Sequence, residues 1–236
     1  NNDVIIQSNG STKVTVDGQN SRVGIGTASP TTQLDVTSSG NGEIAIISGT
    51  SGITSLYMGD SAQKDKGKIF YHNGSDYMAF NANGGEKLRI DATGAVTMPS
   101  QPAFLARPSS TQSDLATGGV TIAMGTEVFD NNADFSSNTF TAPVAGRYLL
   151  SSNLYMGNLD SASQYYQLEI KTSNRIYYDS IGMSGFNADV IYYTLQCTVL
   201  ADMDAGDTAY TYVQIPNGTA QADVFDISYF SGYLVA

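Results

Sequence analysis

The 236-residue chain has one cysteine, Cys197, and one histidine, His72. A single thiol excludes an intrachain disulfide and any zinc site built from several cysteines. Its setting, TLQCTVL, reads as a strand and points to a buried structural thiol rather than a reactive one. A Ser-His-Asp triad would have to be built on His72, and the neighbouring Tyr71 and Asn73 offer it no support, so a polar turn side chain is expected there. Cations are scarce: 11 Lys and Arg stand against 22 Asp and Glu, a formal charge of −11. The imbalance is concentrated in residues 101–236, with 13 acids and 4 bases. Such a surface repels phosphate backbones, so no nucleic-acid partner is expected. Glutamate is also rare, four of the 22 acids, and an aspartate-rich chain favours turns over helices. No apolar run approaches the roughly 18 residues that cross a bilayer, and no basic-then-apolar leader opens the chain, so no membrane insertion is expected. The lack of an initiator methionine points to a piece of something longer.

What is present falls into two unequal halves. Residues 1–100 hold short apolar pieces between turn signals, from DVIIQ and TKVTV to KLRI and AVTM, each of strand length. Two neighbourhoods are alike: TKVTVDGQNSRVGI (Thr12–Ile25) and EKLRIDATGAVTM (Glu86–Met98). Each has an alternating strand, an Asp-led turn and a second short strand, an internal repeat imperfect by one residue. Only 26 of these 100 residues are Val, Ile, Leu, Met, Phe or Tyr. That is thin for a lone copy, whereas three copies about one axis would add burial and cover strand edges. From Gln101 onward 48 of 136 residues are bulky and apolar, including 19 of the 24 Phe and Tyr. Long strand candidates appear, such as RYLLSSNLYM (Arg147–Met156) and DVIYYTLQCTVL (Asp189–Leu200). Their alternation, as in Tyr148, Leu150, Leu154 and Met156, puts one face on a core. About ten strands fit a two-sheet sandwich or jelly roll. The linker TMPSQPAF, with two prolines, sets the expected boundary between a stalk, 1–100, and a head, 101–236, both all-β.

Three pieces of the head carry a family resemblance: FDNNADFSSNTFTAPVAGRYLLS (Phe129–Ser151), LADMDAGDTAYTYV (Leu200–Val213) and YFSGYLV (Tyr229–Val235). In order and spacing they resemble the central Phe-Thr-x-Pro-x-x-Gly-x-Tyr run, the Leu-x-x-Gly-Asp hairpin and the closing strand of the complement globular-head branch of the tumour necrosis factor-like jelly rolls. The resemblance implies a compact trimer, often on a fibrous stalk, that binds partners through its exposed head. The stalk stretch RVGIGTASPTTQLDV (Arg22–Val36) is similar to a recurring string of phage tail fibres, as is the segment from Met58 to Val96. Its glycines would let chains pass close to an axis, and its Ser-Pro step would end one strand before the next.

Asp202, Asp204 and Asp207 invite a calcium reading, but the spacing lacks the Gly and Glu of a calcium-hand loop, so a solvated hairpin turn competes with it. Asn9, Asn73 and Asn217 each open an Asn-Gly-Ser/Thr triplet that matches a glycosylation acceptor and, more strongly, a hairpin turn. With 22 acids a chance carboxylate pair is near certain, so pairs alone do not argue for glycan cleavage. Each tyrosine doublet, 165–166, 177–178 and 192–193, turns one ring inward and one outward. Tyr166, Tyr178, Tyr193 and Tyr212 are the expected trimer seam, with solitary exposure or stacking on a sugar or protein receptor as alternatives. Receptor contacts are expected on loops, at Asn158, Asp160, Gln164, Phe186 and Asn187.

The expected function is that of a non-enzymatic, homotrimeric virion tail-fibre tip whose head recognises a host cell-surface glycan or protein by multivalent contact, with no cofactor unless calcium. A purely structural trimerisation cap, a bacterial surface adhesin and a glycan-depolymerising spike are the alternatives.

Overall fold

The computed structural model describes residues 3–236, and among them every regular element is a strand. No helix is long and apolar enough to cross a membrane. Contact density divides the chain into two units, Asn1–Met78 and Ala79–Ala236.

In the first unit Val4–Ser8 and Ser11–Asp17 pair antiparallel. Asn9 and Gly10 close the hairpin at φ of 50° and 73°, the two-residue turn whose twist matches paired strands. Arg22–Ile25 joins antiparallel, and Leu34–Val36 then lies parallel to Arg22–Ile25. The Gly-Ile-Gly-Thr-x-x-Pro corner therefore turns the chain back on itself. A Cβ on Gly26 would fall 2.0 Å from the Thr37 carbonyl oxygen, and one on Gly24 would meet Thr27 at 2.9 Å and Pro30 at 3.3 Å. The glycines expected to serve an axis between chains thus permit a close approach within one chain. Phe70 is the only large hydrophobic side chain buried among the described residues of this unit, and His72 stacks on Tyr77 at 5.2 Å. Ile53–Met58 pairs antiparallel with Gly67–His72, and beyond Met78, in the second unit, Gly85–Ile90 pairs antiparallel with Val96–Thr97. The internal repeat is visible as two Asp-led turns. Asp17 Oδ1 accepts the N–H groups of Gln19 and Asn20, and Asp91 Oδ1 accepts those of Thr93 and Ala95.

The second unit contains eight principal strands: β1 (Ala103–Arg107), β2 (Thr139–Thr141), β3 (Gly146–Leu159), β4 (Tyr165–Thr172), β5 (Ile176–Gly182), β6 (Val190–Met203), β7 (Thr208–Gln214) and β8 (Tyr229–Leu234). They form two sheets, β1-β8-β3-β6 and β2-β7-β4-β5, a jelly roll of the two-sheet kind expected of the head. Short strands extend both sheets: Thr126–Asp130 pairs with β1 and Phe135–Ser136 with β2.

Alternation explains the core. On β3, Tyr148, Leu150, Leu154 and Met156 are fully buried in one core with Leu195 of the neighbouring β6 and with Leu168, Ile170 and Val213 of the other sheet. Phe104 stacks on Phe135 and Phe140 at 5.0 and 4.8 Å and meets Phe230 edge-on at 5.1 Å. Gly232 is inward-facing, and a Cβ there would lie 2.8 Å from the Phe104 ring. The Tyr148 hydroxyl donates to the Val144 carbonyl at 2.8 Å. The Phe-Thr-x-Pro-x-x-Gly-x-Tyr run is therefore core and corner. The Asp202–Asp207 turn joins β6 and β7, which lie in different sheets, so it is a crossing between layers and not the hairpin expected from sequence.

Candidate functional site

The outward face of the β1-β8-β3-β6 sheet is unusual for a solvated surface. Leu149 of β3 lies between Tyr233 of β8 and Leu200 of β6, and Leu105 of β1 lies beside Phe129. Leu200 is 52% exposed. Leu105, Phe129, Leu149 and Tyr233 border an open hollow of about 380 Å³. A polar strip follows along the strands, where the Ser151 and Thr198 hydroxyls bond at 2.8 Å. Beyond it Tyr155 stacks on Tyr192 at 5.5 Å, with Phe225 5.2 Å from Tyr155. One end is aliphatic and aromatic, the other aromatic alone.

The expected seam tyrosines do not share this face. Tyr166 is fully buried and its hydroxyl accepts the Asp160 N–H at 2.8 Å; burial raises its pKa above the usual tyrosine value. It is a core residue, because β4 turns Tyr166 inward and Tyr165 outward. Tyr193 pairs with inward-facing Met156, so Tyr192 is the outward member of that doublet. Tyr178 and Tyr212 face outward, but from the second sheet, on either side of Glu169. Sequence reasoning missed Leu149, Tyr155, Leu200 and Tyr233. The available signal was an apolar residue on both phases of one strand, as in Tyr148-Leu149-Leu150.

The expected receptor residues gather at one end of the sandwich. β3 runs from Gly146, whose neighbour Arg147 bonds the Ala236 carbonyl at 2.7 Å, to Leu159 at the opposite end. There the loops 160–164, 183–189 and 215–222 interlock. Gln164 N–H donates to Asn217 Oδ1 at 2.9 Å, Met183 N–H to the Gln164 carbonyl at 3.0 Å, and Ser161 N–H to Asp189 Oδ1 at 2.8 Å. Asn158 Nδ2 donates to Asp223 Oδ2 at 2.8 Å. Asp160 is buried rather than displayed, and accepts the N–H groups of Thr219 and Ala162. These hold its carboxyl below the usual aspartate value, Thr219 most strongly. Asp189 is lowered in the same way, first by the Ser161 N–H and then by the Gln221 amide. Asp160 is therefore a scaffold of this end, while Asn158, Gln164, Phe186 and Asn187 remain at its exposed surface. Asn217, expected in a hairpin turn, is instead a brace between loops.

At the Gly146 end of the sandwich, Asp202, Asp204 and Asp207 do not converge. Arg175 pairs with Asp202 at 3.1 Å, while Asp207 Oδ2 accepts the Asp204 N–H at 2.8 Å and the Asn174 amide at 2.7 Å. Among the described residues no group of three His, Cys, Asp or Glu is placed to hold a metal ion. Cys197 is buried, and desolvation, with Asp179 adding to it, pushes its thiol above the usual value.

No family model matches the chain, and no curated protein matches it. Among solved structures, the globular domain of zebrafish complement 1qA protein is similar at 17% identity and a TM-score of 0.43, covering 58% of this chain and 98% of that one. Murine APRIL crystallised at pH 8.5 is similar at 11% identity and a TM-score of 0.43, covering 58% of this chain and 100% of that one.

Proposed function

We propose that the chain is a non-enzymatic, homotrimeric fibre tip of a virion, with residues 1–100 as a β-rich stalk and residues 101–236 as a head that recognises a host cell-surface molecule. The observation that carries the reading is the outward face of the β1-β8-β3-β6 sheet, where Phe129, Leu200 and Tyr233 are exposed and Leu105 and Leu149 are half-buried. Contiguous apolar surface of this kind marks an interface. Apolar residues also line the edge strands, with Ile191 on β6 and Ile176 on β5 exposed. A face on one copy meeting an edge on the next is a head-to-tail contact, which gives a closed trimer when the rotation between copies is one third of a turn. The stalk is consistent with this assembly, since Ile5, Ile6, Ile47 and Leu56 are exposed and, among its described residues, Phe70 is the large hydrophobic side chain that is buried.

Function then follows from valency. Three weak sites on one rigid body bind a surface far more tightly than one site does. The interlocked loops at the far end of the head are one place for such contact, held in shape by Asp160 and Asp189. Light scattering tests the assembly: the expected mass is three times the 25.0 kDa of one chain, and a mass of 25.0 kDa in dilute neutral buffer would contradict it.

A further inference from the structure

Between Asp35 and Asp60 the stalk has a single charged side chain, Glu43. It opens the stretch EIAII, residues 43–47, which has the composition of a strand: three isoleucines in five residues, with no glycine or proline. It forms none. Among the described residues no strand and no hydrogen bond includes residues 41–47, and all of them are exposed, Ile44 at 68% and Ile47 at 88%. The segment is nevertheless fixed at one end. Ser48 Oγ and Thr54 Oγ1 share a hydrogen bond at 3.2 Å, Asn73 Nδ2 donates to Ser48 Oγ at 2.8 Å, and the Gly52 N–H donates to the Gly49 carbonyl at 2.8 Å. A hairpin onto Ile53–Met58 could start from that turn, yet among the described residues no backbone bond joins residues 43–47 to this strand.

Ile53–Met58 is itself an edge, paired with Gly67–His72 on one side. Solvated edge strands are commonly blunted by a charge, a proline or a bulge. This one carries no charge and exposes Ile53, Leu56, Tyr57 and Met58. Lys64 and Lys68 reach over the Tyr57 ring, at 5.5 and 5.8 Å from its centroid. Among the described residues neither lysine has an ion-pair partner, and neither does Glu43.

We infer that residues 43–47 of each copy add as a strand to the Ile53–Met58 edge of a neighbouring copy, so that the stalk is joined by strand exchange. This rests on the reading of the chain as a homotrimer, and names the segment and the edge that hold its copies together. Donor and acceptor match in length, since five residues of strand span about 16 Å and six about 20 Å. Each supplies the backbone groups that the other leaves unpaired, which is how an added strand gains affinity. Their charges are complementary as well. An antiparallel addition with Ile47 toward Ile53 brings Glu43 to the Met58 end, where Lys64 and Lys68 stand over Tyr57. A second copy covers both surfaces at once, whereas a foreign peptide on the edge would leave the isoleucines of residues 43–47 open to water.

The test uses the full chain. Hydrogen exchange reads the ladder: alternate amides of residues 43–47 should exchange about 100-fold more slowly in the assembled protein than in a synthetic peptide of the same residues. Peptide-like exchange throughout the segment overturns the inference. Cross-linking identifies the partner. Ala45→Cys chains are mixed in denaturant with Ser55→Cys, Leu56→Cys or Tyr57→Cys chains, refolded and mildly oxidised; Cys197 is buried and stays apart. At least one mixture should give a disulfide between unlike chains on a non-reducing gel, because facing Cβ atoms of paired strands lie about 5 Å apart. Each mixture is also sized by light scattering. No link between chains in any mixture, at the mass of three chains, overturns the exchange and leaves the homotrimer standing. A link formed instead within single chains that carry both cysteines shows a hairpin in the same copy, and overturns it equally. A mass of one chain overturns both the exchange and the reading beneath it.

Discussion

Single residues of the head show why its motifs have the letters they do. Gly232 is the only residue that fits where β8 passes under Phe104, since a Cβ would lie 2.7 Å from Leu150 and 2.8 Å from Phe104. Both neighbours are buried, so Gly232→Ala should cost about 1–3 kcal/mol by overpacking, read as a shifted urea midpoint. Tyr148→Phe keeps the ring and loses the bond to Val144, an expected cost of about 1 kcal/mol in the same assay. Asp134 illustrates the opposite case. Burial raises its pKa, Asp130 adds to the effect and Asn132 partly offsets it. A raised folded pKa means the carboxyl contributes stability at low pH that is lost as pH rises through that value. Asp134→Asn should therefore raise the melting temperature at pH 7, with the gain vanishing at acid pH. The role of these residues was half legible: the spacing of Phe140, Gly146 and Tyr148 was visible, but that Gly232 makes room for a ring from β1 required the pairing of chain segments more than 120 residues apart.

At the scale of elements, the loops at the far end of the head form one hydrogen-bonded unit drawn from three connections. Asp160 and Asp189 both have lowered pKa values, held down chiefly by the backbone N–H groups of Thr219 and Ser161. Their contribution is thus present above the ordinary value of 3.8 and is lost as pH falls through their folded values. Acidification should loosen residues 157–164 and 215–222 before the core strands unfold, seen as early proteolytic cleavage there below about pH 3.8. The opposite outcome, simultaneous loss of loops and core, would argue that the network is incidental. Asn9-Gly10 was readable as a hairpin because its partners are adjacent in sequence. Asn217 has the same dipeptide but braces Gln164, 53 residues away, a relation that local signals do not carry.

At the scale of the molecule, the sandwich has two outward faces of unlike character. The β1-β8-β3-β6 face is apolar at Leu149, Leu200 and Tyr233, whereas the other is polar and tyrosine-rich around Glu169. Leu149→Asp lies outside the core, so it should leave the fold intact by circular dichroism while reducing the mass to that of one chain. Retention of the full assembly mass would place the contact elsewhere. The sequence by itself determined that the chain is all-β, where its densest core lies, and that β3 buries Tyr148, Leu150, Leu154 and Met156, because these follow from composition and from a period of two along each strand. Only the tertiary structure decided which sheet each strand joins, and hence that Tyr166 is core, that Tyr192 and Tyr178 look out from opposite sides, and that the aspartates of the β6–β7 turn stay apart. A strand's own pattern specifies inside and outside; which outside is settled by pairings between distant segments.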